Sequence, residues 1–290
     1  MSTSKNVWYF AYGSNMSSTT FREGRGIDPL QSIAVKVPGW RLVFDIFGMP
    51  YREPAFASIA PIPVRTPLEP LLMHEEQVHG IAYLVTHEQY IHIIASEGGD
   101  IEYNQIELPA VAIHGNTDDV LTVKTLVTAF ACTPTRLPSL RYKEIMFQGG
   151  QEAALPNYYQ RYLDNLPHFE PPKSAHRRIG AALFLSFWTP LMMFAEALTK
   201  ATANSDGNGN VPKVTKLIVR FILVVMWWYH DHVHASIWGR GDGLQISSLR
   251  DFDLYDSMGE KFPLNSTFQQ RETEPIEKQW EPETATISLV

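Results

Sequence analysis

The segment after the first apolar run of the chain combines residue types suited to binding an anionic group. Residues 7–12 have the composition of a buried strand, and they lead into Gly13, Ser14 and Asn15, which favour a turn. A strand that ends in such a turn can direct several backbone N–H groups at one point, where they would stabilise a carboxylate or a developing oxyanion. An ordinary turn without a function is the alternative interpretation.

Glu97 is the second candidate for chemistry. It follows a predicted short helix over residues 87–96, with Tyr90, Ile91 and Ile94 on one face, and it precedes Gly98 and Gly99. A carboxylate at a helix end can act as a general acid or base, and a glycine pair lets a substrate approach the backbone closely. A solvated surface position for Glu97 is the alternative.

A third region, residues 140–166, has the pattern of two consecutive helices. The first covers residues 140–147 and is expected to stop at Gly149 and Gly150, and the second covers residues 156–166 with Pro156 at its start.

Taken in order, these segments resemble the gamma-glutamylcyclotransferase family over residues 7–168. The matching blocks are YFAYGSNM (residues 9–16), VHGIAY (residues 78–83), the pair Glu97-Gly98 and YKEIMFQGGQEAALPNYYQRYL (residues 142–163). The resemblance implies a carbon–nitrogen lyase with no metal or organic cofactor and Glu97 as general base and acid. It also implies a substrate-binding set made of Tyr12, Gly13, Ser14, Asn15, Tyr103 and Tyr142. If the alignment slips around Gly98-Gly99-Asp100, Glu102 becomes a rival carboxylate.

The chemistry that such a site must perform follows from the reaction. Cyclisation of a γ-glutamyl amide to 5-oxoproline needs no outside nucleophile, because the α-amino group of the substrate attacks its own γ-carbonyl. The enzyme must deprotonate the ammonium, favour the ring-closing conformer, stabilise an oxyanion and protonate the leaving amine. One carboxylate can move the proton in both directions.

The helices and strands that would position these residues are predicted to form an α+β domain. Alternating apolar and aromatic runs bounded by Gly, Pro, Asn or Asp predict strands over residues 7–12, 40–44, 56–60, 78–85, 106–114 and 121–132. Few helices separate them, which favours an antiparallel or mixed sheet closed as a small barrel with surrounding helices.

A change of composition at Glu170-Pro171-Pro172-Lys173 predicts a domain boundary. We expect a catalytic domain over residues 1–172, a hydrophobic helical extension over 173–262 and a polar, disordered tail over 263–290. The apolar stretches 179–195 and 217–229, between Ile179 and Tyr229, fit a helical hairpin packed on the protein, a membrane-associated hairpin or a two-span hairpin. An extension of this kind resembles fungal members associated with sulfur-containing secondary metabolites.

The composition argues against several kinds of partner and site. The net charge of −7 over 290 residues argues against nucleic acid as a partner, and Cys132 is the single cysteine, so no intrachain disulfide forms. The polar first residues predict no signal peptide and hence a cytoplasmic protein, with the membrane-associated alternative retained. His230 and His234 would share a helix face as metal ligands do, but no third helical ligand accompanies them.

The sequence therefore predicts an enzyme that releases 5-oxoproline from a small γ-glutamyl compound: a γ-glutamyl peptide, glutathione or a glutathione conjugate. A γ-glutamylamine cyclotransferase and a non-catalytic, membrane-associated binding protein with the same fold are the alternatives. The sequence does not define the leaving group or the oligomeric state.

Overall fold

The computed structural model describes residues 6–62, 77–114, 120–203 and 207–244. Its strands are β1 (Val7–Ala11), β2 (Gln31–Met49), β3 (Glu53–Pro61), β4 (Gln77–Val85), β5 (Tyr103–Ala112) and β6 (Val120–Thr128). They hydrogen-bond in the order β3-β2-β4-β1-β6-β5, and a further pairing of β2 with β5 closes five of them into a barrel, outside which β3 extends β2. This confirms the predicted mixed barrel, since β1 pairs antiparallel with β4 and parallel with β6.

Strand β2 is much longer than the predicted strand over residues 40–44. Its first part pairs with β4 and its second part pairs with β3, and the pairing with β4 is irregular between Lys36 and Arg41. Pro38 and Gly39 lie in this interval and look like a break in the sequence. The strand continues through this interval because β4 hydrogen-bonds to its first part and β3 to its second part. Sequence periodicity cannot reveal such a change of partner.

The helices are α1 (His87–Ser96), α2 (Leu140–Glu152), α3 (Asn157–Asp164), α4 (Ala175–Thr202), α5 (Lys213–Tyr229) and α6 (Ala235–Trp238). Helix α1 has the predicted bounds and starts with a capping box between Thr86 and Gln89. Its buried face consists of Tyr90, Ile93 and Ile94, so the predicted inclusion of Ile91 was wrong.

The predicted stop of α2 at Gly149 and Gly150 was also wrong, because the helix continues to Glu152. A Cβ atom on Gly149 would lie 2.6 Å from the carbonyl carbon of Met16 and 2.6 Å from the amide nitrogen of Ser17. The glycine therefore serves close packing of α2 against the backbone that follows β1. The helix ends only after this contact has been made.

The extension packs on the barrel. The indole Nε1 of Trp227 donates to the carbonyl oxygen of Gly48 at 3.0 Å, and Lys216 pairs with Asp100 at 2.7 Å. Helices α4 and α5 share a buried apolar cluster with Met49, Tyr51 and Ile101 of the barrel region. Among the described residues, α4 alone has the length and composition of a membrane span. The predicted tail over residues 263–290 lies outside the described residues.

Candidate active site

A cavity of about 540 Å³ at one end of the barrel collects the residues singled out in the sequence. Its lining includes all seven predicted site residues, namely Tyr12, Gly13, Ser14, Asn15, Glu97, Tyr103 and Tyr142. They come from the turn after β1, the end of α1, the start of β5 and the first turn of α2. Four separate elements thus converge on one space.

The turn after β1 is shaped by the contact between Gly13 and Tyr142. A Cβ on Gly13 would lie 2.8 Å from the Tyr142 hydroxyl, so only glycine allows this approach. The Tyr142 hydroxyl also accepts a hydrogen bond from the backbone N–H of Ala57 at 3.3 Å. The phenol of Tyr12 donates to the carbonyl oxygen of Leu126. Two aromatic side chains therefore form a fixed wall.

The phenols at the cavity are protonated at neutral pH, and burial makes them still harder to ionise. Burial raises the pKa of Tyr142 to about 12, and the neighbouring Glu97 carboxylate adds to this. Burial, with a contribution from Glu97, likewise raises the pKa of Tyr103 well above its ordinary value of 10.0. A protonated phenol retains its O–H group as a hydrogen-bond donor.

Glu97 lies at the end of α1, where the chain turns sharply. Gly98 and Gly99 follow with φ of +88° and +63°, the left-handed region that glycine adopts without strain. The backbone N–H of Gly99 bonds to the carbonyl oxygen of Ile94 at 2.9 Å and closes the helix. The turn leaves the mostly buried Glu97 side chain directed at the cavity.

The Glu97 carboxylate is held by Asn15 and Arg25. Its Oε1 accepts a hydrogen bond from Asn15 Nδ2 at 2.6 Å and lies 2.6 Å from a guanidinium nitrogen of Arg25. Arg25 also donates to Asn15 Oδ1 at 2.7 Å and to Ser96 Oγ at 2.6 Å. Within the described part of the chain, Oε2 of Glu97 accepts no hydrogen bond. One oxygen is therefore anchored and the other remains for a substrate.

Sequence reasoning missed Arg25 and Tyr9. Arg25 follows a π-helical turn, Thr19–Gly24, in a stretch without any motif. Tyr9 accepts a hydrogen bond from Asn15 Nδ2 at 2.9 Å, so the Asn15 amide is shared between Tyr9 and Glu97. Asn15, predicted to bind substrate, thus contacts the carboxylate of Glu97.

The rival carboxylate Glu102 lines the same cavity. Its Oε1 is buried and has no hydrogen-bond partner among the described residues. Burial raises the pKa of Glu102 to about 8, although the charge of Arg220 acts in the opposite direction. A carboxyl group in this state holds its proton at pH 7.

A larger groove of about 1340 Å³ adjoins the cavity between the barrel and α4. The two spaces share Arg25, Glu97, Glu102, Arg141 and Glu196 in their linings. The wall of the groove is rich in apolar side chains, including Met49, Met192, Met193 and Leu223. The extension therefore contributes directly to the surroundings of the site.

The histidines His230 and His234 are engaged by the protein. His230 lies against Asp231 at 2.8 Å and accepts from the backbone N–H of Gly241 at 3.0 Å, while His234 contacts the carbonyl oxygen of Gly180 at 3.0 Å. Ligand atoms of His230, Asp231 and Asp242 lie within 4.8 Å of one another.

Two arginines neutralise these carboxylates. Arg136 lies 2.7 Å from Asp242 and 2.9 Å from Asp231, and Arg240 pairs with both. Although burial opposes ionisation, the hydrogen bond from His230 and the charges of Arg136 and Arg240 lower the pKa of Asp231 to about 2. A divalent cation would meet two guanidinium groups here, so the cluster is suited to joining the extension to the loop after β6.

The chain is 42% identical over 249 residues to gamma-glutamyl cyclotransferase aclK of Aspergillus oryzae, with 82% of this chain and 90% of that protein covered. It is 38% identical over 250 residues to gamma-glutamyl cyclotransferase gliK of Aspergillus fumigatus, with 83% and 90% covered. Residues 174–237 match a family described as the AclK C-terminal domain. A solved structure named gamma-glutamyl cyclotransferase superposes with a TM-score of 0.46 at 19% identity, over 59% of this chain and 92% of that one.

Proposed function

Since the chain belongs to the gamma-glutamyl cyclotransferase family and is an enzyme of that kind, we propose that it releases 5-oxoproline from a γ-glutamyl compound with Glu97 as the proton-transferring group. The observation that carries the proposal is the anchored carboxylate of Glu97, held through Oε1 by Asn15 and Arg25 at the cavity. A general base must be fixed within hydrogen-bond reach of the proton it removes.

In the proposed reaction, Oε2 of Glu97 accepts a proton from the α-ammonium group of the substrate. The freed lone pair attacks the γ-carbonyl carbon, and the five-membered ring closes as the carbonyl oxygen becomes an oxyanion. Donors from the turn at residues 13–15 and the protonated phenols of the cavity stabilise this charge. The amide C–N bond then breaks and its electron pair passes to the leaving nitrogen. That nitrogen gains two protons as it becomes an ammonium group, which balances the two that the attacking nitrogen loses, one of them to Glu97.

Glu97 is a better base than Glu102 for a reason of charge. Glu102 keeps its own proton until about pH 8 and has no counter-ion within hydrogen-bond distance among the described residues. Glu97 instead lies against the guanidinium of Arg25 through Oε1, and its Oε2 accepts no hydrogen bond from a described residue. Only an ionised carboxyl group can accept the ammonium proton.

We propose further that the leaving amine belongs to a large group, such as that of a glutathione conjugate. The groove beside the cavity has room for it, about 1340 Å³, and its methionines suit an apolar substituent. Arg52 lines the groove, is exposed and makes no ion pair with a described residue, so it can pair with the carboxylate of a peptide leaving group. A γ-glutamylamine with a small leaving group would leave this space unused.

The test is a substrate panel with 5-oxoproline measured by mass spectrometry. The panel contains a γ-glutamyl amino acid, glutathione, a glutathione S-conjugate with an apolar substituent, and a γ-glutamylamine. We expect the conjugate to give the highest kcat/KM.

Glu97→Gln keeps the size of the side chain but cannot carry the proton, so we expect kcat to fall by about 10²–10⁴-fold. Glu107→Gln, at an exposed surface pair with Lys124, is the matched control. The proposal fails if no compound yields 5-oxoproline. It also fails if Glu97→Gln keeps more than about a tenth of kcat, because loss of a general base normally leaves much less activity.

A further inference from the structure

The extension presents a broad apolar surface, which we call the outer hairpin face. In α4 it comprises Ile179, Leu183, Phe187, Leu191 and Phe194, and in α5 it comprises Val214, Leu217, Phe221, Val224 and Trp228. All ten are exposed, Phe187 to 67% and Leu217 to 71% of the residue's reference area. Contiguous apolar surface of this extent is uncommon on a soluble monomer and marks an interaction site.

The face points away from the barrel. Its members recur every three or four residues along each helix, as one stripe of a helix requires. The opposite stripe of α5 is buried and includes Val219, Ile222 and Met226. Beside it, Lys216 and Arg220 contact the turn before β5, and Trp227 contacts β2. In α4 the opposite stripe lines the groove with Met192 and Glu196.

The distribution of charge separates this face from an ordinary protein interface. No charged residue occurs in α4 between Arg178 and Glu196, and the two cations inside α5 are turned to the barrel. Basic residues lie where the helices begin, with Arg177 and Arg178 exposed in the first turn of α4 and Lys213 exposed at the start of α5. Protein interfaces of this size normally carry a polar rim and hydrogen-bonding groups within the patch.

We propose that the outer hairpin face lies flat on an anionic lipid surface. Its apolar stripes would enter the boundary between headgroups and acyl chains, and the basic helix starts would pair with lipid phosphates and carboxylates. Trp228 belongs to this face, and tryptophan is a side chain that is enriched at the membrane–water interface. The hairpin does not span, because its inner face is bound to the barrel.

The test uses the full chain and vesicles of phosphatidylcholine with or without phosphatidylserine, in a flotation assay. We expect binding that increases at least severalfold with phosphatidylserine. The double variant Phe187→Glu/Phe221→Glu should abolish it while 5-oxoproline release from a soluble substrate stays within twofold. Val120→Glu, which alters an exposed valine of β6, is the matched control and should bind normally.

A second copy of the chain could cover the outer hairpin face instead of lipid. Light scattering of the same samples without lipid measures whether the protein is a monomer or a dimer. A dimer that the double variant dissociates, together with no vesicle binding by the wild type, overturns the proposal. Absence of vesicle binding by a wild-type monomer overturns it as well.

A second inference comes from a different observation, the carboxyl group of Glu102, and it rests on the proposed function. Glu102 lines both the cavity and the groove, so it stands at their junction. Its Oε1 is buried without a hydrogen-bond partner among the described residues, which is costly unless a ligand supplies one. The anchored oxygen of Glu97, in contrast, is occupied by two protein donors.

We infer that Glu102 donates the proton that the leaving amine takes up. In this step the C–N bond breaks, its electron pair passes to nitrogen, and the O–H proton of Glu102 is transferred to that nitrogen. Glu97 has by then gained one proton from the ammonium group, and the attacking nitrogen loses a second proton as it becomes the ring amide. One of these two protons returns to Glu102, directly or through water, and the other converts the released amine to its ammonium form, which restores both carboxyl groups. Burial holds Glu102 protonated to about pH 8, as an acid at neutral pH must be.

The test compares leaving groups of different basicity. The nitro group of γ-glutamyl-p-nitroanilide stabilises the charge on the departing nitrogen, so this leaving group depends much less on proton donation than the amine of a γ-glutamyl dipeptide. We expect Glu102→Gln to lower kcat for the dipeptide by about 10²-fold or more and for the anilide by less than about threefold. Glu97→Gln should impair both substrates, because both need the α-amino nucleophile.

Two further readouts exclude a structural effect. Glu102→Asp retains a proton donor and should recover part of the dipeptide activity. The wild-type rate should decline above about pH 8, and this limb should vanish in Glu102→Gln. Equal loss for both substrates, or no loss for either, overturns the assignment, whereas absence of 5-oxoproline from the wild type would instead overturn the proposed function.

Discussion

Arg25 and Glu97 form the central ion pair of the site, with a guanidinium nitrogen 2.6 Å from Oε1 and Asn15 in contact with both side chains. Both partners are mostly buried, at 16% and 17% side-chain exposure, so solvent screens the pair less than a surface pair. Arg25 contacts Glu97, Asn15 and Ser96 at once. This makes it a positioning residue for the carboxylate.

Replacement of Arg25 tests that role. Arg25→Lys keeps the charge but cannot make all three contacts, and hydrogen bonds to a charged group contribute about 1.5–3 kcal/mol. We expect kcat to fall by roughly 10–100-fold in Arg25→Lys and further in Arg25→Ala. Arg22→Ala, which removes an exposed pair with Asp28, is the control and should leave kcat unchanged. Unaltered kcat in Arg25→Ala would show that Asn15 alone suffices.

The identity of the nucleophile can be examined with a blocked substrate. An N-acetylated γ-glutamyl compound has no free α-amino group, so it should not be turned over whatever its leaving group. Release of the leaving amine is measured alongside the unblocked compound. Cleavage of the blocked compound to N-acetylglutamate would mean that water attacks and that the protein is a hydrolase.

Gly149 and Gly150 offer a matched pair for the packing of α2. A Cβ on Gly149 meets backbone atoms of Met16 and Ser17 at 2.6 Å, whereas a Cβ on Gly150 meets the flexible end of Leu163 at 3.1 Å. Alanine improves helix propensity equally at both positions, by about 1 kcal/mol. We expect Gly149→Ala to lower the free energy of unfolding by about 1–3 kcal/mol, as overpacking does, and Gly150→Ala to be near neutral.

Denaturant titration of both variants measures these effects. Because Gly149 packs on the turn that carries Asn15, Gly149→Ala should also reduce kcat. Similar stability in the two variants would contradict the account of α2.

Glu102 predicts a pH dependence of stability. Its pKa is raised from 4.5 to about 8 in the folded protein, so folding favours the protonated form. The contribution of Glu102 to the free energy of unfolding is fully present below about pH 4.5 and is lost as the pH rises through about 8. The loss is on the order of 1 kcal/mol per pH unit at most. Tm measured from pH 5 to 8 should therefore fall less in Glu102→Gln than in the wild type. If Tm falls equally with pH in the two proteins, Glu102 does not make this contribution.

Much of the fold could be predicted because the relevant signals are local. Strand β4 and helix α1 were predicted within one residue, since apolar periodicity, Thr86 and the Gly98-Gly99 pair act on their own neighbourhood. The two halves of β2 and the continuation of α2 through Gly149 could not be predicted, because each depends on a partner distant in sequence. Arg25 carries no signal of its own, and its role exists only where α1 brings Glu97 beside it.

By itself the sequence determined the residue types of the site, the approximate positions of most strands along the chain and the apolar character of the extension, because these follow from composition and short-range pattern. Only the tertiary structure decided that Asn15 and Arg25 hold one oxygen of Glu97, that Glu102 is buried without a partner, and that α4 walls the groove. Closure of the barrel brings these groups together from distant parts of the chain. Their burial and charge environment, and hence their chemistry, arise only after that closure.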